Sequence, residues 1–73
     1  MKTYFDSNVL VSLLNARSSY KPQADAALAE AGAGAFTSAH ALAETYRTLT
    51  TLALPIPPRQ ARQLVNGLGG IME

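Results

Sequence analysis

Lys2-Thr3-Tyr4-Phe5-Asp6-Ser7-Asn8-Val9-Leu10-Val11-Ser12-Leu13-Leu14 is the stretch that decides how this chain folds. Thr3-Tyr4-Phe5 is a β-favouring triplet, and Val9 to Leu14 is almost wholly apolar. Between them, Asp6-Ser7-Asn8 supplies three residue types that favour turns and helix N-caps. Periodicity over so short a second run does not separate strand from helix. Two readings compete: a hairpin turned at Asp6-Ser7-Asn8, or a strand followed by a helix capped by Ser7 or Asn8. A tight hairpin draws on Asn-Gly or Asp-Gly, and no glycine stands here. Strand then helix is the favoured reading.

Working outward, Asn15 to Lys21 reads as a polar loop, and Pro22 suits the first residue of a helix. Ala24, Ala27, Leu28 and Ala31 follow the spacing of one buried helix face, and Gly32 offers a stop. Ala35-Phe36-Thr37 reads as a short strand, with Ser38 as the N-cap of the next helix. That helix is expected from about Ala39 to about Ala53, with Leu42, Tyr46, Leu49 and Ala53 on one stripe. Leu54-Pro55-Ile56-Pro57-Pro58 breaks it. Pro58 opens a last helix whose buried face is Ala61, Leu64, Val65 and Leu68, ended by Gly67, Gly69 and Gly70. Ile71-Met72 reads as the entrance to another strand.

The order β-α-α-β-α-α, with a further strand at the end, implies an α/β fold with a parallel sheet and right-handed crossovers. Such sheets need helices on both faces, and two strands are too few to build one. Residues 1–73 therefore read as a single unit, the front half of a larger α/β domain.

Composition narrows the function classes. The chain has 73 residues, 48% of them hydrophobic and 15% charged, with a formal net charge of +1. That balance excludes a disordered tail. With no cysteine there is neither a disulfide framework nor a thiolate metal site. No apolar run reaches the ~18 residues of a membrane span, and the start lacks a signal-peptide layout. A cytoplasmic protein with no membrane role is the expectation. The weak net charge gives no electrostatic basis of its own for tight nucleic-acid binding. Abundant alanine predicts a thin core.

In parallel sheets of this kind, sites form beyond the carboxyl ends of the strands. The first strand delivers Asp6 there, with Ser7 and Asn8 beside it; the second delivers Ser38, and Glu44 follows on the next helix. Adjacent parallel strands lie ~4.8 Å apart, so Asp6 and Ser38 are expected at the same edge, with Glu44 in reach. Two convergent carboxylates suit a hard cation such as Mg²⁺, which takes oxygen ligands and keeps several waters. A cation so held polarises a phosphoryl oxygen and activates a bound water, the chemistry of phosphodiester hydrolysis.

Tyr4-Phe5-Asp6-Ser7-Asn8-Val9-Leu10 closely resembles the opening of PIN domains, an apolar strand followed by Asp-Thr/Ser-Asn-Val/Ile-Leu. Phe36-Thr37-Ser38-Ala39-His40-Ala41-Leu42-Ala43-Glu44-Thr45-Tyr46-Arg47 resembles their second signature, a Thr-Ser pair and then a helical glutamate. The resemblance spans essentially the whole chain and is closest to the toxins of bacterial toxin–antitoxin pairs. It implies a three-layer PIN-like fold and Mg²⁺- or Mn²⁺-dependent cleavage of RNA. It also implies an antitoxin protein as partner and a homodimer or higher oligomer. By the same resemblance Asp6 and Glu44 are the metal-binding catalytic carboxylates, Asn8 orients the acidic cluster, and Ser38 shapes the site. The chain departs from the family in length and strand count. The family's further metal-binding aspartates fall in its second half, whereas the one acid after Glu44 is Glu73.

Each residue also has a plainer reading. Asp6 and Asn8 suit turns or caps, Ser38 an N-cap, and Glu44 an exposed helix position paired with Arg47 or His40. His40, the single histidine, reads as a surface residue, and Arg59 and Arg62 as a solvated helix face. The alternative to a ribonuclease is a truncated, catalytically inactive fragment that serves as an interaction module, with Val9, Leu13 and Tyr20 exposed for contact.

Overall fold

The computed structural model describes residues 2–69 and Met72. The elements run β1 (Thr3–Tyr4), α1 (Ser7–Leu14), α2 (Lys21–Ala31), β2 (Ala35–Phe36), α3 (Ala39–Thr50) and α4 (Pro58–Gly69). A single 3₁₀ turn, Gly32–Gly34, leads into β2. The fold is mixed α/β and mostly helical. β1 and β2 pair in parallel, with Thr3 opposite Ala35 and Tyr4 opposite Phe36. Parallel neighbours require a crossover, which α1 and α2 supply.

The pairing continues past the strands. The Phe5 amide donates to the Phe36 carbonyl at 2.9 Å. Thr37 Oγ1 in turn donates to the Phe5 carbonyl at 2.6 Å. Tyr4 and Phe36, opposite each other, set their rings 5.4 Å apart at an interplanar angle of 57°. A tilted aromatic pair of this kind contributes ~0.5–1.5 kcal/mol beyond the area it buries.

Because these bonds hold the chain extended through Phe5, helix α1 starts immediately after it. Asp6, not Ser7 or Asn8, is the N-cap: its backbone is extended, and its Oδ1 accepts from the Val9 amide at 3.3 Å. At the far end of α1 the Asn15 amide donates to the Val11 carbonyl. Lys21 then donates its ammonium to the Leu13 carbonyl at 2.7 Å and pairs with Asp25 at 3.2 Å. A cation at a helix C-terminus meets unpaired carbonyls and the negative end of the dipole.

Helix α2 begins one residue before Pro22, and it ends at Gly32, whose φ of 54° is the left-handed turn that glycine adopts without strain. Ala24 is buried and Leu28 and Ala31 are half-buried, whereas Ala27, expected on the buried face, is exposed.

Helix α3 is capped as expected, Ser38 Oγ accepting from the Ala41 amide at 3.0 Å. It stops at Thr50 instead of Ala53. Two threonine hydroxyls take over its last turn: Thr50 Oγ1 lies 2.9 Å and Thr51 Oγ1 3.0 Å from the Arg47 carbonyl. The Thr51 amide tightens onto the Thr48 carbonyl, and the Ile56 amide returns to that of Leu49. The buried stripe is Ala41, Thr45 and Leu49, with Leu42 and Tyr46 only half-buried and Ala53 exposed. Thr45 can be buried because its hydroxyl donates to the Ala41 carbonyl at 2.7 Å.

In α4, Ala61 and Leu68 are buried and Leu64 and Val65 half-buried, as the spacing predicts; the helix runs through Gly67 to Gly69. Of the expected last strand, Ile71 lies outside the described residues. Met72 is buried and donates its amide to the Leu68 carbonyl at 2.8 Å, a helical spacing and not a strand pairing.

The core gathers Phe5, Leu10, Leu13, Ala24, Ala35, Ala41, Leu68 and Met72. Three of these are alanines, so the core is thin, as composition predicts. Leu13, expected to be exposed, faces this core. Helix α1 packs on α2 and α3, and α3 on α4. Among the described residues, no helix is long and apolar enough to cross a membrane.

Candidate functional site

Two strand ends and two helix starts meet at one edge of the molecule. Continuing the strand register by two residues sets Asp6 opposite Ser38. Each caps the helix that follows, Asp6 on α1 and Ser38 on α3. The Asp6 carboxylate sits at the positive end of the α1 dipole, where negative charge is favoured.

Ser38 Oγ, besides capping, lies 3.1 Å from the Tyr4 hydroxyl, which ties β1 to the start of α3. Glu44 stands on α3 between one and two turns beyond the cap. Ser7, the residue next to Asp6, donates its hydroxyl to Glu44 Oε2 at 3.3 Å. The other oxygen, Oε1, meets His40 Nε2 one turn back along the same helix. The plain reading of Glu44 as a partner of His40 is thus realised, but the cross-helix bond from Ser7 accompanies it.

The structure joins Ser7, His40 and Glu44 through side-chain contacts, and places Asp6 and Ser38 as the caps of the two helices that carry them. Asn8 is placed elsewhere. It lines a cleft of about 340 Å³ between α1 and α2, together with Val9, Ser12, Tyr20, Gln23, Ala24 and Ala27. Its side chain makes no hydrogen bond to either carboxylate among the described residues. Arg59 and Arg62 are exposed on α4, as expected of a solvated face.

Three contributors escaped the sequence reading: Ser7, which reaches across to Glu44; Thr37, which anchors the Phe5 carbonyl; and Tyr4, which reaches Ser38. Ser7 follows the capping aspartate, and the first turn of a helix points unpaired polar groups outward at its end. That signal was available. The other two depend on strand register, which the sequence does not fix.

The donors fit a hard divalent ion. Carboxylate oxygens from Asp6 and Glu44 are the ligand type Mg²⁺ and Mn²⁺ take. One Asp6 oxygen is engaged by the Val9 amide and both Glu44 oxygens have protein partners, which leaves few free positions. Among the described residues, no three His, Asp or Glu side chains converge on one point.

What fold and site define is a mostly helical α/β chain with a two-stranded parallel sheet, whose strand ends lead into helices capped by Asp6 and Ser38. No family model, no curated protein and no solved structure matches it.

Proposed function

We propose that the chain is the N-terminal part of a PIN-type endoribonuclease, dependent on Mg²⁺ or Mn²⁺ and similar to the toxins of bacterial toxin–antitoxin pairs. It would act on RNA in the cytoplasm, with an antitoxin protein as partner and a second copy of itself in a dimer or larger assembly. The observation that carries this reading is the junction of the two signature segments. The Asp-Ser-Asn stretch after β1 and the Thr-Ser stretch after β2 lie side by side, and Ser7 of the first bonds Glu44 of the second.

In this reading Asp6 and Glu44 hold the ion, Ser7 steadies the Glu44 carboxylate, and Ser38 fixes the start of α3. The ion, when bound, supplies a Lewis acid for a phosphoryl oxygen and a water activated for attack. The chain's own residues position that ion and, with two carboxylates, hold it weakly. The test is cleavage of RNA by the full reading-frame product with Mn²⁺, against Asp6→Asn and Glu44→Gln. Loss in both variants with folding intact supports the reading; cleavage that survives both overturns it.

The α1–α2 cleft favours a second reading, an interaction module without catalysis. Its lining is mostly apolar, and Tyr20 beside it is 69% exposed. Cleavage and sedimentation together separate the two: a module cleaves no RNA with Mn²⁺ yet self-associates through this cleft, and becomes monomeric in Tyr20→Ser.

A further inference from the structure

His40 is the one side chain at the site to which the proposed chemistry gives no task. Its Nε2 meets Glu44 Oε1 across a single turn of α3, while Ser7 Oγ holds Oε2. The i, i+4 spacing puts both side chains on one helix face, and the same spacing lets two helix residues grip one zinc ion in His-x-x-x-His sites. The His40 side chain is 84% exposed and that of Glu44 49% exposed. An ion can therefore approach with its own waters, and the imidazole can turn to meet it without repacking the core.

An imidazole nitrogen changes which ion the site takes. Mg²⁺ prefers oxygen and gives up water reluctantly. Zn²⁺ and Co²⁺ bind imidazole well, and affinity for a mixed nitrogen–oxygen site rises steeply from Mn²⁺ towards Zn²⁺. We propose that His40 and Glu44 form a two-residue chelate for a divalent transition ion, Zn²⁺ or Co²⁺, at the junction of α1 and α3. Ser7 positions the carboxylate, and water fills the remaining coordination sites. The inference rests on Glu44 being the cation ligand of the proposed function, and it adds a second class of ion that competes there for the same carboxylate.

The single histidine makes the test direct, because every imidazole resonance belongs to His40. Zn²⁺ and, separately, Mg²⁺ are titrated into the folded chain and followed by NMR, for the wild type, His40→Gln and Glu44→Gln. The expected result is saturable movement of the His40 resonances with Zn²⁺. Zn²⁺ should bind at least about tenfold more tightly than Mg²⁺, and His40→Gln should erase that margin while Mg²⁺ affinity changes less than about twofold. The exposure of His40 makes loss of folding in that variant a non-issue, and the amide spectrum verifies it. Imidazole resonances that stay still at saturating Zn²⁺, or a Zn²⁺ margin that survives His40→Gln, overturn the chelate. Mg²⁺ affinity unchanged by Glu44→Gln instead removes Glu44 from the cation site of the proposed function. A Zn²⁺ margin that is lost in both His40→Gln and Glu44→Gln, in a protein that cleaves no RNA, upholds the chelate and discards the nuclease. A margin that survives Glu44→Gln is binding by a lone imidazole and overturns the chelate.

Discussion

Asp6 is asked to do two jobs, and two substitutions separate them. Its Oδ1 caps α1 by accepting the Val9 amide, and its charge is assigned to the cation. Asparagine caps a helix about as well as aspartate, whereas alanine cannot cap at all. Asp6→Ala should lose the cap, ~1 kcal/mol, plus the interaction of the charge with the helix end, a few tenths of a kcal/mol at a surface site. Asp6→Asn should lose only the second part. Helix α1 has eight residues and carries Leu10 and Leu13 into the core, so fraying at its start weakens the whole fold. For a domain of this size ~1 kcal/mol lowers Tm by roughly 4–8 °C. Asp6→Ala should therefore melt several degrees lower, and Asp6→Asn within about 3 °C of wild type. Mn²⁺ uptake, read by water-proton relaxation, should fall equally in both. Equal melting of the two variants would refute the capping argument. Undiminished Mn²⁺ uptake in Asp6→Asn would remove Asp6 from the cation site.

Other substitutions probe the scaffold. Leu10 is fully buried in a core short of large side chains, so Leu10→Ala should cost ~2–5 kcal/mol and leave the chain largely unfolded by circular dichroism at 25 °C. Thr45→Val should be nearly neutral in a urea titration despite complete burial, since the Ala41 carbonyl keeps a helical donor when the hydroxyl is gone. Lys21→Met removes the cation from the end of α1 and from Asp25, and should cost ~0.5–1 kcal/mol at low salt. That loss should shrink when melts are repeated in 1 M salt, where the Debye length is about 3 Å.

How far the sequence could be read depended on which force decided each feature. The strand-then-helix opening was legible because the absence of glycine at Asp6-Ser7-Asn8 is a local, steric fact. Ser38 as a cap and the buried face of α4 were legible for the same reason. The identity of the first cap was not: Asp6, Ser7 and Asn8 are all good caps, and the choice fell to the Phe5–Phe36 pairing, a contact between distant residues. The buried stripe of α3 was misjudged because counting apolar residues overlooks a threonine whose hydroxyl is satisfied within its own helix. The early end of α3 has a related cause, hydroxyls of Thr50 and Thr51 competing for carbonyls that apolar periodicity ignores. Asp6 and Ser38 could be placed at one strand edge from topology alone. The Ser7–Glu44 bond could not, because it depends on how α1 settles against α3.

The parallel pairing of β1 with β2 also governs how the site comes into being. Thr3 and Ala35 are 32 positions apart, and bringing them together closes a loop whose entropic cost is roughly 3 kcal/mol before any contact is made. Asp6 and Ser7 lie at one end of that loop, Ser38 and Glu44 at the other. Helices α1 and α2 can form from local contacts on a microsecond scale, but they carry only one half of the cation's neighbourhood. The His40–Glu44 pair, within one helix, can form on its own, but the bond from Ser7 to Glu44 waits on this closure, and amide exchange at Phe5 should keep time with its loss.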